Sequence, residues 1–176
     1  LVRDEMTIVI AGTYTRLTFG MRDYLIDLFK TIIIYPSVYF SNASRQFHKG
    51  EFNPIMKVVA FSWEDFILGH KTTNDNLNLG LHEFSHVLHF YCMRSNSPSA
   101  IIFFDEFNEV VKYYKDENCI KKLAESGYFR EYAYENQFEL FSVILEHFFE
   151  TPHIFKSKYP ELYQNVSSMI NFKDDF

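Results

Sequence analysis

The sequence is poor in cysteine, with Cys92 and Cys119 as its two members. Two widely separated cysteines cannot build a disulfide framework, and they exclude a zinc site made of cysteine ligands. Such low usage fits a reducing compartment. Both residues are interpreted as small core side chains, because free cysteine is among the most buried residue types.

Long apolar runs are also missing. The longest, "TIVIAG" from Thr7 and "TIIIY" from Thr31, fall far short of the ~20 residues that span a bilayer. We therefore expect no transmembrane segment in this chain. It begins with Leu1 instead of Met, which leaves an upstream signal or anchor open, and a cytoplasmic location is the expectation.

A surplus of basic residues is absent as well. The chain has 17 Lys and Arg against 23 Asp and Glu, for a formal net charge of -6. Binding to a phosphate backbone needs a basic stripe, and none is visible in the sequence. We therefore expect no nucleic-acid partner.

No linker rich in Pro, Gly or Ser divides the 176 residues, so residues 1–176 are predicted to form a single domain. Apolar residues make up 47% of the chain and aromatic residues 19%, which provides a large core without disulfides. Intrinsic disorder is thereby excluded as a description of the whole chain.

The apolar periodicity predicts an α+β chain that is rich in helix and has a small sheet. Two helices are predicted within residues 6–30, interrupted by Gly12 and Gly20. Two β-branched runs, residues 31–36 and 57–63, predict strands on either side of a turn-rich segment. Further helices are predicted at residues 75–93, 104–115, 118–125, 136–149 and 160–172.

The stretch "LHEFSHVLH" places polar groups in a segment that otherwise resembles core. On a helix, His82, His86 and His89 share one face, opposite an apolar arc. His82 and His86 are one turn apart, with Cβ atoms roughly 5–6 Å from each other, so two imidazoles can converge on one zinc ion. Glu83 lies beside them, placed to take a proton from a water molecule at the metal. This is the pattern H-E-x-x-H of zinc peptidases.

A catalytic zinc site needs a third protein ligand and an open position for water. The downstream segment "YAYENQFELFSVILEHFFETP" offers five glutamates. On its helix, Glu139 and Glu146 lie on the same side, opposite the thickest part of the apolar arc. An alternative stays open for Glu139, because Asn136 to Glu139 also fits a helix N-cap with a capping-box glutamate.

These paired motifs resemble the zinc-dependent peptidases of the Mlc-titration-factor family, of the gluzincin type, and more distantly the catalytic domain of the lethal-factor toxin. The match covers "HEFSH", then Tyr132, Ala133, Asn136 and Glu139, then Phe148, Phe149 and Pro152. The segments "RLTFG", "IIIYP" and "VVAFSW" are similar to the family as well. The resemblance implies a zincin-like fold in which His82, His86 and Glu139 hold Zn²⁺, Glu83 is the catalytic base and Tyr132 supports the oxyanion.

One departure from the family concerns His89, which stands where the family usually has an aspartate. The expected acidic partner of a ligand is therefore missing. Because His89 lies about 10.5 Å along the helix axis from His82, we interpret it as a neighbour of the ligands or a cleft-lining group instead of a ligand. Tyr134 is expected to pack with its hydroxyl at the surface, Glu146 to be solvated or to contact a ligand, and His48, His70, His147 and His153 to be surface or loop residues.

The predicted function is zinc-dependent hydrolysis of peptide bonds in a peptide or protein substrate. "VVAFSW" is a candidate edge strand along which an extended peptide could add. The alternative is a regulatory module that captures a transcriptional repressor with little or no proteolysis, as the family name implies. Glu83 favours the peptidase, because a binding module needs no base beside a metal.

Overall fold

The computed structural model of the chain describes residues 2–21 and 27–173. These residues form a helix-rich α+β fold with a small mixed sheet, as the apolar pattern predicts. None of the helices in these ranges is both long and apolar enough to cross a membrane. The helices are α1 (Asp4–Thr18), α2 (Trp63–Lys71), α3 (Leu79–Cys92), α4 (Pro98–Lys115), α5 (Glu117–Glu125), α6 (Gln137–Glu150), α7 (Pro152–Lys158) and α8 (Pro160–Met169), with a 3-10 helix at Glu131–Tyr134.

The strands are β1 (Thr31–Tyr35), β2 (Tyr39–Ser41), β3 (Gln46–His48), β4 (Gly50–Asn53) and β5 (Val58–Ser62). One sheet has the order β1-β5-β4, with β1 parallel and β4 antiparallel to β5, while β2 and β3 form an antiparallel hairpin. The two predicted strands, β1 and β5, are confirmed as members of one sheet, in which they pair directly. The expectation that "VVAFSW" is an edge strand is wrong, because β4 pairs with β5 on the side away from β1.

Three strands lie in or next to the turn-rich segment between β1 and β5, where no strand was predicted. Each has only three or four residues, and turns such as the one at Arg45, with φ of 60°, separate them. Strands this short carry too few alternations of apolar and polar residues to show a period of two. They matter here because β4 packs against α3.

The first helix differs from the prediction. Helix α1 continues through Gly12, where an added Cβ would meet nothing within 4 Å, and it ends at Thr18. Gly20 lies in the turn that follows, in close contact with the backbone of Asn171. Of the second helix predicted before Lys30, residues 22–26 lie outside the described residues, and residues 27–30 are not helical.

Capping residues explain where the other helix boundaries differ from the predicted ones. Helix α3 begins at Leu79 because the Asn78 side chain accepts a hydrogen bond from the Leu81 amide. Ser97 caps α4 in the same way and Pro98 occupies its first turn, so that helix begins six residues earlier than predicted. The short helices α2 and α7 were not predicted.

The core is built around α3 and α6, which pack against each other, and α3 also contacts α1, α2, α4, β4 and β5. Leu81, Phe84 and Leu88 bury the apolar arc of α3. Phe84 makes an edge-to-face contact with Phe61 of β5, at 5.4 Å between ring centroids. The same two helices thus carry the core on one side and the polar residues of both motifs on the other.

Candidate metal centre

Helix α3 places His82 and His86 one turn apart, with their ring centroids 4.9 Å from each other and nearly perpendicular. The neighbours Leu81, Phe84 and Val87 are buried, which fixes the rotation of the helix and turns the histidines away from the apolar core. Both rings therefore face helix α6.

Helix α6 supplies the carboxylate that faces the two imidazoles. Glu139 Oε2 lies 2.9 Å from His82 Nε2, and Glu139 Oε1 lies 3.5 Å from His86 Nε2. The Asn136 side chain caps α6 by accepting hydrogen bonds from the amides of Phe138 and Glu139. The N-cap expected at Asn136 is therefore present. The carboxylate of Glu139, however, contacts His82 and His86.

One nitrogen of each histidine and one oxygen of Glu139 lie within 4.8 Å of one another. Two imidazole nitrogens and one carboxylate oxygen are the donor set of a catalytic zinc site that keeps a position open. The chemistry of the donors and their convergence therefore fit a divalent metal ion at this point.

The charges around this point favour a cation. Burial alone would lower the pKa of His82, but hydrogen bonds to Glu139 and Glu146 outweigh it and raise the pKa to about 10. Burial would raise the pKa of Glu139, yet its contacts with His82 and His86 hold that pKa well below the usual range. In the protein alone a proton on His82 satisfies Glu139, and a bound metal ion would replace that proton.

Glu146 is the acidic partner of His82 on the side of the ring away from Glu139. Its Oε1 accepts a hydrogen bond from His82 Nδ1 at 2.8 Å, and its side chain is only 1% exposed. The Arg130 guanidinium donates to both oxygens, at 2.7 and 3.0 Å, and the Asn78 amide donates to Oε2 at 2.8 Å. Of the two interpretations of Glu146, contact with a ligand holds and solvation is wrong.

Arg130 and Ser142 are contacts of the site that the sequence analysis missed. Arg130 precedes the 3-10 helix and belongs to no sequence motif. The one signal in the sequence is Glu146, because a carboxylate on the inner face of α6 needs a cationic partner. The Ser142 hydroxyl lies 3.5 Å from His86 Nδ1. Both residues thus touch the side of an imidazole that faces away from the point of convergence.

Glu83 is buried and lines the same cleft as His82. Burial raises its pKa, against the opposing effect of His82 and His86. Its carboxylate lies against Gly50 of β4, where an added Cβ would come within 2.5 Å of Glu83 Oε1 and 2.6 Å of its Cγ. The glycine therefore provides the space that the Glu83 side chain occupies.

Tyr132 and Tyr134 diverge in the 3-10 helix. The Tyr132 ring lies 5.7 Å from the His82 ring and lines the cleft, and burial together with the neighbouring Glu139 raises the pKa of its hydroxyl. Tyr134 packs against the core, as expected, but its hydroxyl is buried, whereas it was expected at the surface. Burial and then the nearby Tyr159 raise the pKa of Tyr134 to about 12. Of these two tyrosines, Tyr132 is the one that lies close to His82.

His89 lies away from the converging donors. Its ring packs between Phe107 and Phe138, at 4.5 and 4.8 Å between centroids. Burial, and then the neighbouring His86, lower its pKa to about 4. The interpretation of His89 as a cleft-lining residue is wrong, because aromatic rings enclose it.

The remaining histidines have mixed outcomes. His147, expected at the surface, is buried between Tyr128 and Phe129, and burial lowers its pKa to about 4. His70 stacks on Phe66. His153 is exposed, as expected, and His48 lines the cleft beside Gly50.

The cleft that these residues border has a volume of about 340 Å³. Its walls come from β3, the start of β4, helices α2, α3 and α6, the loop before α3 and the 3-10 helix with the residue before it. Besides His82, Glu83 and Tyr132, they include Phe47, His48, Lys49, Gly50, Asp65, Leu68, Leu77, Arg130 and Glu146. We refer to this space as the cleft below.

The sequence profile of the glucose-regulated metallo-peptidase M90 family matches residues 1–170. The chain belongs to this family. It is the family to which the paired motifs point, that of the Mlc titration factor. A comparison with curated proteins gave no match. Membership of a metallopeptidase family implies a metal cofactor, in agreement with the convergence of His82, His86 and Glu139.

Proposed function

We propose that this chain is a zinc-dependent peptidase that hydrolyses peptide bonds. The observation that carries the proposal is the convergence of two imidazole nitrogens and one carboxylate oxygen within 4.8 Å, next to a cleft that Glu83 also lines. A donor set of this kind, with a base beside it, is what hydrolysis by a metal-activated water requires.

His82, His86 and Glu139 would hold the zinc ion. When bound, zinc supplies Lewis acidity, which makes a water molecule more acidic and polarises the scissile carbonyl. Glu146 and Arg130 keep the Nδ1–H of His82 directed away from the metal, so the Nε2 lone pair stays available as a ligand.

Glu83 would accept the proton of the attacking water and transfer it to the nitrogen of the departing amine. Its burial, which raises its pKa, suits a group that must take up a proton and then release it. Tyr132 would donate a hydrogen bond to the carbonyl oxygen as negative charge develops there, because its ring borders the cleft beside His82.

An extended substrate would lie along β4, the strand that packs against α3. In the described part of the chain β4 pairs with β5 on one side, and Gly50 at its start lines the cleft. Addition of a peptide to an exposed strand is a common mode of recognition. The alternative function, capture of a repressor without proteolysis, gives no role to the buried carboxylate of Glu83.

The test combines metal analysis with a single substitution. Purified protein should contain about one zinc per chain, because three ligands on two packed helices form a single open site. Incubated with a mixed peptide library, it should produce cleavages that a chelator abolishes. Glu83→Gln should keep the metal and lose most activity, since the amide cannot accept a proton.

Two results would contradict this proposal. A protein that contains no zinc and takes up none at neutral pH would exclude the zinc site. A Glu83→Gln variant with normal turnover would place the base elsewhere.

A further inference from the structure

Four charged side chains in the walls of the cleft form two ion pairs, while Asp75 accepts a hydrogen bond from the Leu77 amide and Glu83 is buried beside His82. Lys49 forms an ion pair with Asp65 at 2.6 Å. Arg130 pairs with Glu146, whose two oxygens are both occupied by hydrogen bonds. A charged substrate side chain entering the cleft would have to compete with these pairs, and it would lose part of its own hydration.

Several apolar side chains in the same walls are exposed to solvent instead. Phe47, Leu68 and Leu77 line the cleft and are 73%, 56% and 52% exposed. They come from β3, α2 and the loop before α3, so three separate parts of the chain bring large apolar groups to one opening. Exposed apolar side chains that converge around a cleft are typical of ligand-binding surfaces.

We propose that the cleft binds a large apolar side chain of the substrate, such as Leu, Met or Phe, on the residue next to the scissile bond. The location follows from the lining, since His82 and Glu83 border the same space as Leu68 and Leu77. A volume of about 340 Å³ is at the lower end for small-molecule pockets, which suits one large side chain. This inference rests on the proposed function, because it assigns the cleft to the substrate of that site.

The first experiment measures cleavage preference. Zinc-loaded protein is incubated with an equimolar peptide library, and we expect Leu, Met and Phe to be enriched at one position flanking the cleaved bond. Leu77→Glu should lower kcat/KM for a peptide with Leu at that position by about tenfold or more, because the substrate side chain would lose an apolar contact and meet a charge. Ile154→Glu is the matched control, because Ile154 is equally exposed, at 52%, but lies on α7 outside the cleft.

The second experiment separates this inference from the activity. Short peptide hydroxamates, which chelate metal ions, are titrated into zinc-loaded Glu83→Gln protein, and the versions with a Leu, Lys or Glu side chain are compared. We expect the Leu compound to bind about tenfold more tightly than the other two, and Leu77→Glu to remove that difference. Equal affinity for the three compounds, or a preference for Lys or Glu, would overturn the apolar subsite alone. A protein that takes up no zinc would overturn the proposed function as well.

Discussion

Glu146 is a single carboxylate whose burial depends on three partners. A buried charge is costly unless it is paired and hydrogen-bonded, and here His82, Arg130 and the Asn78 amide occupy both oxygens. The acidic partner of His82 comes from α6, so the His82 ring is oriented without an acidic residue on its own helix.

Tyr132 allows a test of catalysis by one hydroxyl. Tyr132→Phe should leave zinc content, fold and apparent substrate affinity nearly unchanged but lower kcat by ~10²-fold or more, the scale seen when one oxyanion donor is removed. Tyr134→Phe is the matched control, since the Tyr134 hydroxyl is buried against the core. Steady-state kinetics on one peptide would decide. If Tyr132→Phe turns over at the wild-type rate and Tyr134→Phe does not, the roles of the two tyrosines are reversed.

Gly50 allows a second test at the level of one residue. An alanine there would place its Cβ within 2.5–2.8 Å of three atoms of the Glu83 side chain, so Glu83 or β4 must move. Gly50→Ala should therefore lower kcat by about tenfold or more while zinc content stays normal, because none of the three proposed ligands is displaced. Gly12→Ala is the control, since it has open space in α1 and should increase stability by ~0.5–1 kcal/mol.

A double-mutant cycle connects this effect to Glu83. With chelator present, Gly50→Ala should lower the melting temperature of the wild-type chain but much less that of Glu83→Ala, whose truncated side chain leaves room for the new methyl group. An equal loss in both backgrounds would mean that some other neighbour requires the glycine.

At the scale of elements, the site depends on how α3 and α6 begin and pack. Each helix is capped by an asparagine side chain, Asn78 for α3 and Asn136 for α6, within four residues of a proposed ligand. A cap fixes the first turn of a helix, and the buried arcs of both helices fix their rotation. His82 and Glu139 thus lie in well-defined first turns, which is where a precise metal geometry can be held.

Glu139 distinguishes a metal ligand from a capping residue. As a ligand, Glu139→Gln should weaken zinc binding by about tenfold or more, measured by competition with a chromogenic chelator. In a capping box, Gln replaces Glu well, so affinity would stay normal and only Glu139→Ala would reduce stability, by ~1 kcal/mol. Glu135→Gln serves as the control because Glu135 is exposed just before the helix. Unchanged affinity in Glu139→Gln would support the capping role.

At the scale of the whole molecule, the two long amphipathic helices of the site were predictable and the connections between them were not. Helices α3 and α6 have 14 residues each, enough to display a clear apolar arc, and they carry His82, His86 and Glu139. Helix α7, with seven residues, is too short for that, and α2 begins at Trp63, which the pattern assigned to the preceding strand. The prediction begins α4 at residue 104, whereas Pro98 occupies its first turn, a position where proline favours the start of a helix.

The side-chain contacts of the site were likewise predictable from the sequence only where they follow from helical spacing. The pair His82 and His86 follows from helical spacing, and Glu139 follows from its place on a second helix. Arg130 could not be predicted, because its pairing with Glu146 depends on how the 3-10 helix folds back onto α6. The contact of Gly50 with Glu83 likewise depends on a four-residue strand that carries no pattern of its own.

The last prediction concerns the stability of the whole fold in acid. His89 and His147 are buried, and burial lowers the pKa of each to about 4, compared with 6.5 for an ordinary histidine. Between these values the unfolded chain binds protons that the folded chain does not bind, so the free energy of unfolding falls as the pH decreases from about 6.5 to 4. Neutral rings in aromatic surroundings thus contribute stability that is complete above pH 6.5 and is lost below it.

His89→Phe should remove one of these two contributions. The new ring would lie among Phe103, Phe107 and Phe138 and cannot take up a proton, so the melting temperature should decline less steeply between pH 6.5 and 4 than in the wild-type chain. Thermal unfolding is measured with chelator present, so that loss of metal in acid does not enter the comparison. His153→Phe, at an exposed position of α7, is the control. Parallel curves for wild type and His89→Phe would mean that the His89 ring is protonated equally in the folded and unfolded chains, which is incompatible with its burial among the phenylalanines.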